Sequence, residues 1–420
     1  MSRPSMRFSI DFDVAIAGGS LIGATLAAVL LKGSGLRVAL IEQQEPARYA
    51  LQDEYDLRVL AITRASEQIF RALGAWPYIE AGRLGYFREM QVWDAGGSGT
   101  IHFDSADLGE PTLGYIIENR LLQSALETVL QDPPIVWYRP AGIAALSWQN
   151  HHVQLQLEDG RRLTTKLVVG ADGAGSRIRE LAGIAETWAR DYQQTALVCT
   201  VETEQPHGEI ARQRFLETGP LAFLPLADPH HCSIVWSTTS MEAQGLLALS
   251  DEAFRLRLET AFASALGSIV TVGPRAAFPL LRTHAEHYIK PRLALIGDAA
   301  HRIHPLAGQG ANLGILDATS LAEVVVAARA SGRDIGSLRV LRRYERWRKG
   351  ENLAMMLAMD LFKDLFGSRL GPVRWARNVG LQITDATGPV KRWIMRRAMG
   401  LEGDLPRLAT GAELKGPFIT

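Results

Sequence analysis

The 420-residue sequence predicts an α/β domain on a parallel sheet, interrupted by an antiparallel β-rich domain and followed by a helical segment. Three observations predict it. An apolar strand, a glycine turn, a helix and a second strand follow one another over residues 13–42 and read as a βαβ unit. Two more buried strands, over 163–169 and 292–296, run straight into turns that carry Gly and Asp. Between them, over about 191–279, the pattern changes to short runs at 196–203, 211–216, 221–225 and 233–237, as in an antiparallel sheet.

In chain order, the first unit is a strand over 13–17, a helix over 23–32 and a strand over 37–42 that ends on Glu42. The apolar spacing from 57 to 73 predicts a helix stopped by Gly74, and short runs at 90–93 and 100–103 predict strands. Leu122, Leu126 and Leu130 mark a helix over 121–130, and 153–157 with 163–169 form a hairpin across Asp159-Gly160. Helices follow near 251–266, from about Gly310, over 338–366 and over 389–399. No repeat is visible, which excludes solenoids and propellers.

Composition excludes several classes. The 45 Lys+Arg balance 45 Asp+Glu, so no net field favours nucleic acid. Cys199 and Cys232 are too few for a disulfide framework, sit in apolar β-rich runs as packing residues, and suit a reducing cytosol. The ten histidines show no H-x-x-x-H grouping, so no metal site is expected. Residues 14–31 are uncharged and long enough for a spanning helix, but Gly18-Gly19-Ser20 split them into strand, turn and buried helix. Asp11 and Asp13 also stand where a signal peptide would be basic, so the expectation is a soluble, cytoplasmic chain.

Gly18, Ser20 and Gly23 take the three places of a G-x-G-x-x-G turn, with Ser20 a small departure at the middle place and Gly19 an extra glycine. Such a turn lets a pyrophosphate approach the backbone at a helix N-terminus, and Glu42 suits the hydroxyls of an unphosphorylated adenosine ribose. Taken alone, the glycines also fit an ordinary turn. Farther on, a strand ends at Gly297-Asp298 and is followed by His301, His304, Pro305, Gly308, Gln309, Gly310 and Asn312. Asp298 sits at a strand's carboxyl end, and Gly308 and Gly310 free backbone N–H groups for a ligand edge that gains negative charge. His301 reads as an anchor of that turn or as a proton-transfer group. Asp172, in the third turn, reads as a ligand contact or as the cap of the next helix.

Together and in this order, the three turns resemble the group A flavoprotein aromatic hydroxylases, of the para-hydroxybenzoate hydroxylase fold. The stretches 56–62 (Asp-Leu-Arg-Val-Leu-Ala-Ile), 113–119 (Leu-Gly-Tyr-Ile-Ile-Glu-Asn), 222–226 (Ala-Phe-Leu-Pro-Leu) and 297–312 are similar to the ubiquinone-biosynthesis hydroxylases. Residues 228–237 and 332–346 look closest to their 2-polyprenylphenol 6-hydroxylase branch. The resemblance spans nearly the whole chain.

It implies a discontinuous Rossmann-like FAD-binding domain over 1–82, 106–185 and 285–366, a substrate domain over 83–105 and 186–284, and a C-terminal helical region over 367–420. It implies that Gly18, Ser20 and Gly23 line the FAD pyrophosphate, that Glu42 holds the adenosine ribose, and that Arg58 lies on the flavin side. Asn119 stands where many relatives carry an arginine, and Gln123 on the same helix is the candidate contact. Asp172 would support the pyrophosphate side and NAD(P)H engagement, and Asp298 the ribityl chain or pyrophosphate. Pro305 would lie at the reactive flavin edge, and the turn of Gly308, Gln309, Gly310 and Asn312 would face the pyrimidine ring. The implied activity is ring hydroxylation of a polyprenylphenol through a flavin C4a-hydroperoxide, with molecular oxygen as co-substrate and NAD(P)H or another electron donor as transient reductant. No dedicated side-chain base is required, so no catalytic residue is named.

Between Arg339 and Arg397, 14 Lys/Arg face five Asp/Glu, and the run from Lys391 to Arg397 interleaves Trp393, Ile394 and Met395. This reads either as a helix on an anionic membrane surface or partner, or as a solvated face of a packed helix. A homo-oligomer and contact with other ubiquinone-biosynthesis proteins are compatible with the resemblance. The alternatives are another ring position or aromatic substrate, a flavin halogenase or prenyl reductase, and a non-catalytic nucleotide-binding scaffold, which would have no need of 297–312.

Overall fold

The structure, a computed structural model, describes residues 10–32, 34–46, 48–97, 99–132, 135–303, 308–367 and 387–414. The chain opens with β1 (Phe12–Ala17), α1 (Leu21–Leu31) and β2 (Val38–Ile41). Next come β3 (Val59–Thr63), α2 (Arg64–Leu73), α3 (Trp76–Glu80), β4 (Leu84–Phe87), β5 (Glu89–Asp94), β6 (Thr100–Asp104) and β7 (Gly114–Glu118). Then follow α4 (Asn119–Val129), β8 (Val136–Tyr138), β9 (Ile143–Trp148), β10 (Val153–Leu157), β11 (Arg162–Gly170) and α5 (Arg177–Leu181). The β-rich part holds β12 (Glu186–Thr203), β13 (Ile210–Leu216), β14 (Gly219–Pro225), β15 (His231–Thr239), α6 (Ser240–Ala248), α7 (Asp251–Phe262), β16 (Ile269–Val272) and β17 (Ala276–Ala285). The chain closes with β18 (Ile289–Lys290), β19 (Leu293–Leu295), β20 (His301–Arg302), α8 (Gln309–Ala330), α9 (Leu338–Gly367) and α10 (Gly388–Ala398).

A parallel core runs in the order β19-β11-β1-β2-β8. β18 and the β9–β10 pair extend it antiparallel. Every residue of β1 and β2 is buried, and so is nearly all of α1, which explains why 14–31 carries no charge. α8 is long and apolar enough to cross a membrane, but 83% of its apolar stretch is buried inside this protein.

The second sheet runs β20-β17-β12-β15-β14-β13-β5-β6, with β16 on β12. It joins residues from 89–104 to those of 186–285 and also takes in His301 and Arg302. Cys199 and Cys232 are buried on its adjacent strands β12 and β15, and burial pushes both thiols up to about 12. The expected helix over 57–73 is corrected: its first third is β3, antiparallel to β7 in a small β3-β7-β4 sheet. Tertiary pairing overrides the spacing there, and α2 starts where the Thr63 hydroxyl accepts the Ser66 N–H.

Candidate functional site

Three backbone hydrogen bonds stitch the carboxyl ends of the parallel strands together. Gly18 N–H donates to Ile41 O (2.8 Å), Ala171 N–H to Ala17 O (2.7 Å) and Ile296 N–H to Gly170 O (3.0 Å). The turns after β1, β11 and β19 therefore stand side by side, where open α/β sheets bind ligands. Gly18, at φ +95°, lies so close to the third turn that a Cβ would come 2.3 Å from Ala171 O. A Cβ on Gly23 would sit 1.9 Å from Gly18 O, and one on Gly314 would meet Ile22 of α1 at 2.8 Å. Strand, turn and α1 touch through backbone, and α8 closes on α1 through Gly314 against the Ile22 side chain.

Beside the first turn lies a cavity of about 170 Å³, whose lining includes Gly19, Ser20, Glu42, Gln123 and Arg139. The structure thus brings Ser20, Glu42 and Gln123 together, as the sequence predicts. Glu42 accepts the Gly19 N–H (2.7 Å) and the Gln44 N–H (3.1 Å), so it also fixes the glycine turn. Sequence reasoning missed Arg139, whose guanidinium stacks over Trp137 at 4.5 Å and pairs with Glu45 (3.0 Å) and Glu127 (2.5 Å). A lone Arg just past the end of β8 gives no motif to read.

Neither α1 nor α8 is capped by a side chain, and neither has an acid in its first turn. α2, α5, α6 and α7 are capped by Thr63, Ser176, Thr239 and Ser250. Two helix N-termini at the turns therefore keep their donors and positive dipole ends for an anionic ligand. Asp298 is half-buried beside them. Glycine cradle, uncapped helices and the Glu42 carboxylate beside the cavity fit a dinucleotide such as FAD.

Other predicted residues behave differently. The Asp172 carboxylate accepts from Ser176 Oγ (2.5 Å) and Ile178 N–H (3.0 Å), so it caps α5. The Asn312 side chain forms a clamp inside the protein. Its amide oxygen accepts from Thr63 N–H (3.0 Å) and Ser66 Oγ (2.8 Å), and its Nδ2 donates to Ala61 O (2.7 Å) and Gly308 O (3.3 Å). Its side chain is spent on fastening α8 to β3 and α2. Gln309 Nε2 donates to Ala398 O of α10 (3.3 Å), and Arg58 is exposed, bonding through its backbone to Asp56 and Asn119. Pro305 and His304 lie outside the described residues.

His301 does have an acid partner. Asp317, on α8, accepts from His301 Nε2 (2.5 Å) and Gly297 N–H (3.1 Å) through one oxygen, and from Arg348 Nε (2.9 Å) and Asn352 Nδ2 (3.0 Å) through the other. Burial raises this carboxyl, but His301 and then Arg348 outweigh it and hold it at about 2. Across the β17–β20 pair, burial lowers His284 to about 4, helped by Lys349 and His301.

A family model described as FAD binding domain matches residues 11–356. The 3-demethoxyubiquinol 3-hydroxylase of Escherichia coli is 38% identical over 93% of this chain and 98% of its own. The ubiquinone hydroxylase UbiL of Rhodospirillum rubrum is 40% identical over 96% and 93%, and the mitochondrial ubiquinone biosynthesis monooxygenase COQ6 of Danio rerio 37% over 91% and 89%. The chain belongs to this family of FAD-dependent hydroxylases. Its fold matches that of p-nitrophenol 4-monooxygenase PnpA from Pseudomonas putida, with TM-score 0.76, 20% identity, and coverage of 94% of this chain and 99% of that one. It also matches Pseudomonas aeruginosa PqsL at TM-score 0.74 and 25% identity, over 89% of this chain and all of the other. The hydroxylase fold, the FAD domain and the monooxygenase class expected from the three turns hold.

Proposed function

We propose that the protein hydroxylates the aromatic ring of a polyprenylphenol intermediate of ubiquinone biosynthesis, with FAD, molecular oxygen and NAD(P)H or another donor. The observation that carries this reading is the convergence of three turns on one sheet edge in a chain whose full-length relatives bear ubiquinone-hydroxylase names. Bound FAD supplies the reductive activation of oxygen. The chain supplies the rest.

Gly18, Ser20 and Gly23 receive the pyrophosphate on the open end of α1, while Glu42 and Gln123 take the adenosine ribose in the cavity they line. Asp298 holds the polar chain of the cofactor, and the backbone N–H groups of Gln309 and Gly310 at the open end of α8 stabilise negative charge on the flavin edge. The 83–105 and 186–284 segments, joined in the nine-stranded sheet, position the phenol, and positioning selects the ring carbon attacked.

The decisive experiment is anaerobic reduction of the yellow holoenzyme, followed by oxygen and prenylated phenols, with mass and NMR identification of the product. One added ring oxygen is the expected result, and its position distinguishes the 6-hydroxylase branch from a 3-hydroxylase. Flavin reoxidation without any hydroxylated product would refute the reading.

A polyprenyl substrate resides in lipid, and the exposed face of α10 carries Arg392, Trp393 and Arg396, with Trp393 56% exposed. Lys391 pairs with Asp107 (3.3 Å) and Arg397 with Glu351 (2.9 Å), and Arg396 lies 4.0 Å from Glu402. Arg392→Glu with Trp393→Ser should lower binding to anionic liposomes about 10-fold, since each basic residue contributes roughly 1 kcal/mol there, with flavin content unchanged. Equal sedimentation with liposomes would remove the membrane contact.

A further inference from the structure

We infer that Asp317 is a positioning residue that sets the Gly297–Asp298 turn, acting as a buried four-donor anchor between the turn, β20 and α9. The inference rests on the reading above, in which that turn holds FAD.

Asp317 lies two turns inside α8, away from the helix start that faces the ligand. Its four donors come from three separate places: the Gly297 N–H at the turn, the His301 imidazole on β20, and Arg348 with Asn352 one helical turn apart on α9. Asp317, His301, Arg348 and Asn352 are each at most 2% exposed. Arg348 also donates to Asn352 Oδ1 (3.1 Å), which turns the Asn352 amide so that its Nδ2 points at Asp317. The arrangement is saturated, and a charged acceptor with full coordination is stiff.

Gly297 needs such an anchor. It stands at φ +59°, yet a Cβ placed on it would find its nearest neighbour at 3.4 Å, so packing does not hold the turn as it holds Gly18. The N–H bond to Asp317 does. The same carboxylate oxygen grips His301, four residues on, so both ends of the segment that presents Asp298 are fixed to one point. The Tyr288 hydroxyl, 3.3 Å from His284 Nε2, and the Tyr344 hydroxyl, donating to Leu295 O (2.8 Å), close the polar layer behind the turn.

The test uses Asp317→Asn/Arg348→Met, which removes the acceptor charge together with the buried cation it balances. The apoprotein of this variant should melt within a few degrees of the parent. Amide hydrogen exchange should rise over 297–302 and stay unchanged in β1 and β2. FAD titration of the apoprotein should show affinity about 10- to 100-fold weaker, the worth of a hydrogen bond to a charged acceptor. Parent-like exchange over 297–302, or parent-like FAD affinity, would overturn the inference and leave Asp317 as a mere counter-charge for Arg348. Should the double variant not fold, the parent apoprotein decides: a slowly exchanging Gly297 amide sustains the inference, and a freely exchanging one defeats it. A parent that binds no FAD would instead sink the functional reading, a separate and visible failure.

Discussion

The two glycine turns at the candidate site are held by opposite means. At Gly18 the constraint is steric: the turn is wedged against Ala171, and Gly23 against Gly18, at distances no side chain tolerates. At Gly297 there is space, and the constraint is a buried carboxylate reaching in from α8. Backbone wedging sets Gly23 against Gly18 within one turn and Gly18 against Ala171 of a distant turn, and it needs no charge. Electrostatic anchoring draws on Gly297, His301, Asp317, Arg348 and Asn352, spread over more than fifty residues. One region should fail when atoms are added, the other when a charge is taken away.

The sharpest break in that contrast is Asp317→Asn. It leaves the Arg348 guanidinium buried without its counter-ion and turns an amide NH2 toward groups that donate. Removing one member of a buried pair costs about 3–5 kcal/mol, so the midpoint of urea unfolding should fall accordingly. A midpoint within error of the parent would show that Arg348 finds another acceptor and that the anchor is dispensable.

Gly18→Ala attacks the steric side. Positive φ costs an L-residue about 1–2 kcal/mol and forced overpacking about 1–3 more, giving an expected loss of about 2–5 kcal/mol in the same urea experiment. This difference in mechanism also explains what was legible beforehand. Steric turns advertise themselves as glycines at fixed spacing, so Gly18, Ser20, Gly23 and Glu42 could be read as positions, and they gather around the first turn. Asp317 gave no such signal, because its partners are assembled by the packing of α8 against α9. The cap that Asp172 makes on α5 was one of its two sequence readings, whereas the Asn312 bonds to β3 and α2 were not legible, since only the fold brings those partners together. β3 was lost to a helical spacing because its strand character comes from pairing with β7.

Acid sharpens the electrostatic side further. His284, across the strand pair from His301, is lowered to about 4 from an ordinary 6.5. Unfolding lets it take up a proton that the native state refuses, so its contribution is full above pH 6.5 and is lost as pH falls through about 4. The loss over that window is at most about 3 kcal/mol. His284→Gln should flatten the dependence of the urea midpoint between pH 6.5 and 4.5, and an undiminished slope would assign it to other groups. Asp317, held at about 2, contributes its own slope only below about pH 4 and so does not confuse the measurement.

The mildest effect is the most discriminating. Gly297→Ala must pay for φ +59°, about 1–2 kcal/mol, but adds a methyl that meets nothing closer than 3.4 Å. The Gly297 N–H and its acceptor stay in place, so FAD affinity should stay within a few-fold of the parent while the urea midpoint drops less than it does in Gly18→Ala. If instead the two alanines cost the same, the Gly297 turn is wedged as tightly as the first, and sterics, not the Asp317 carboxylate, hold both sides of the site.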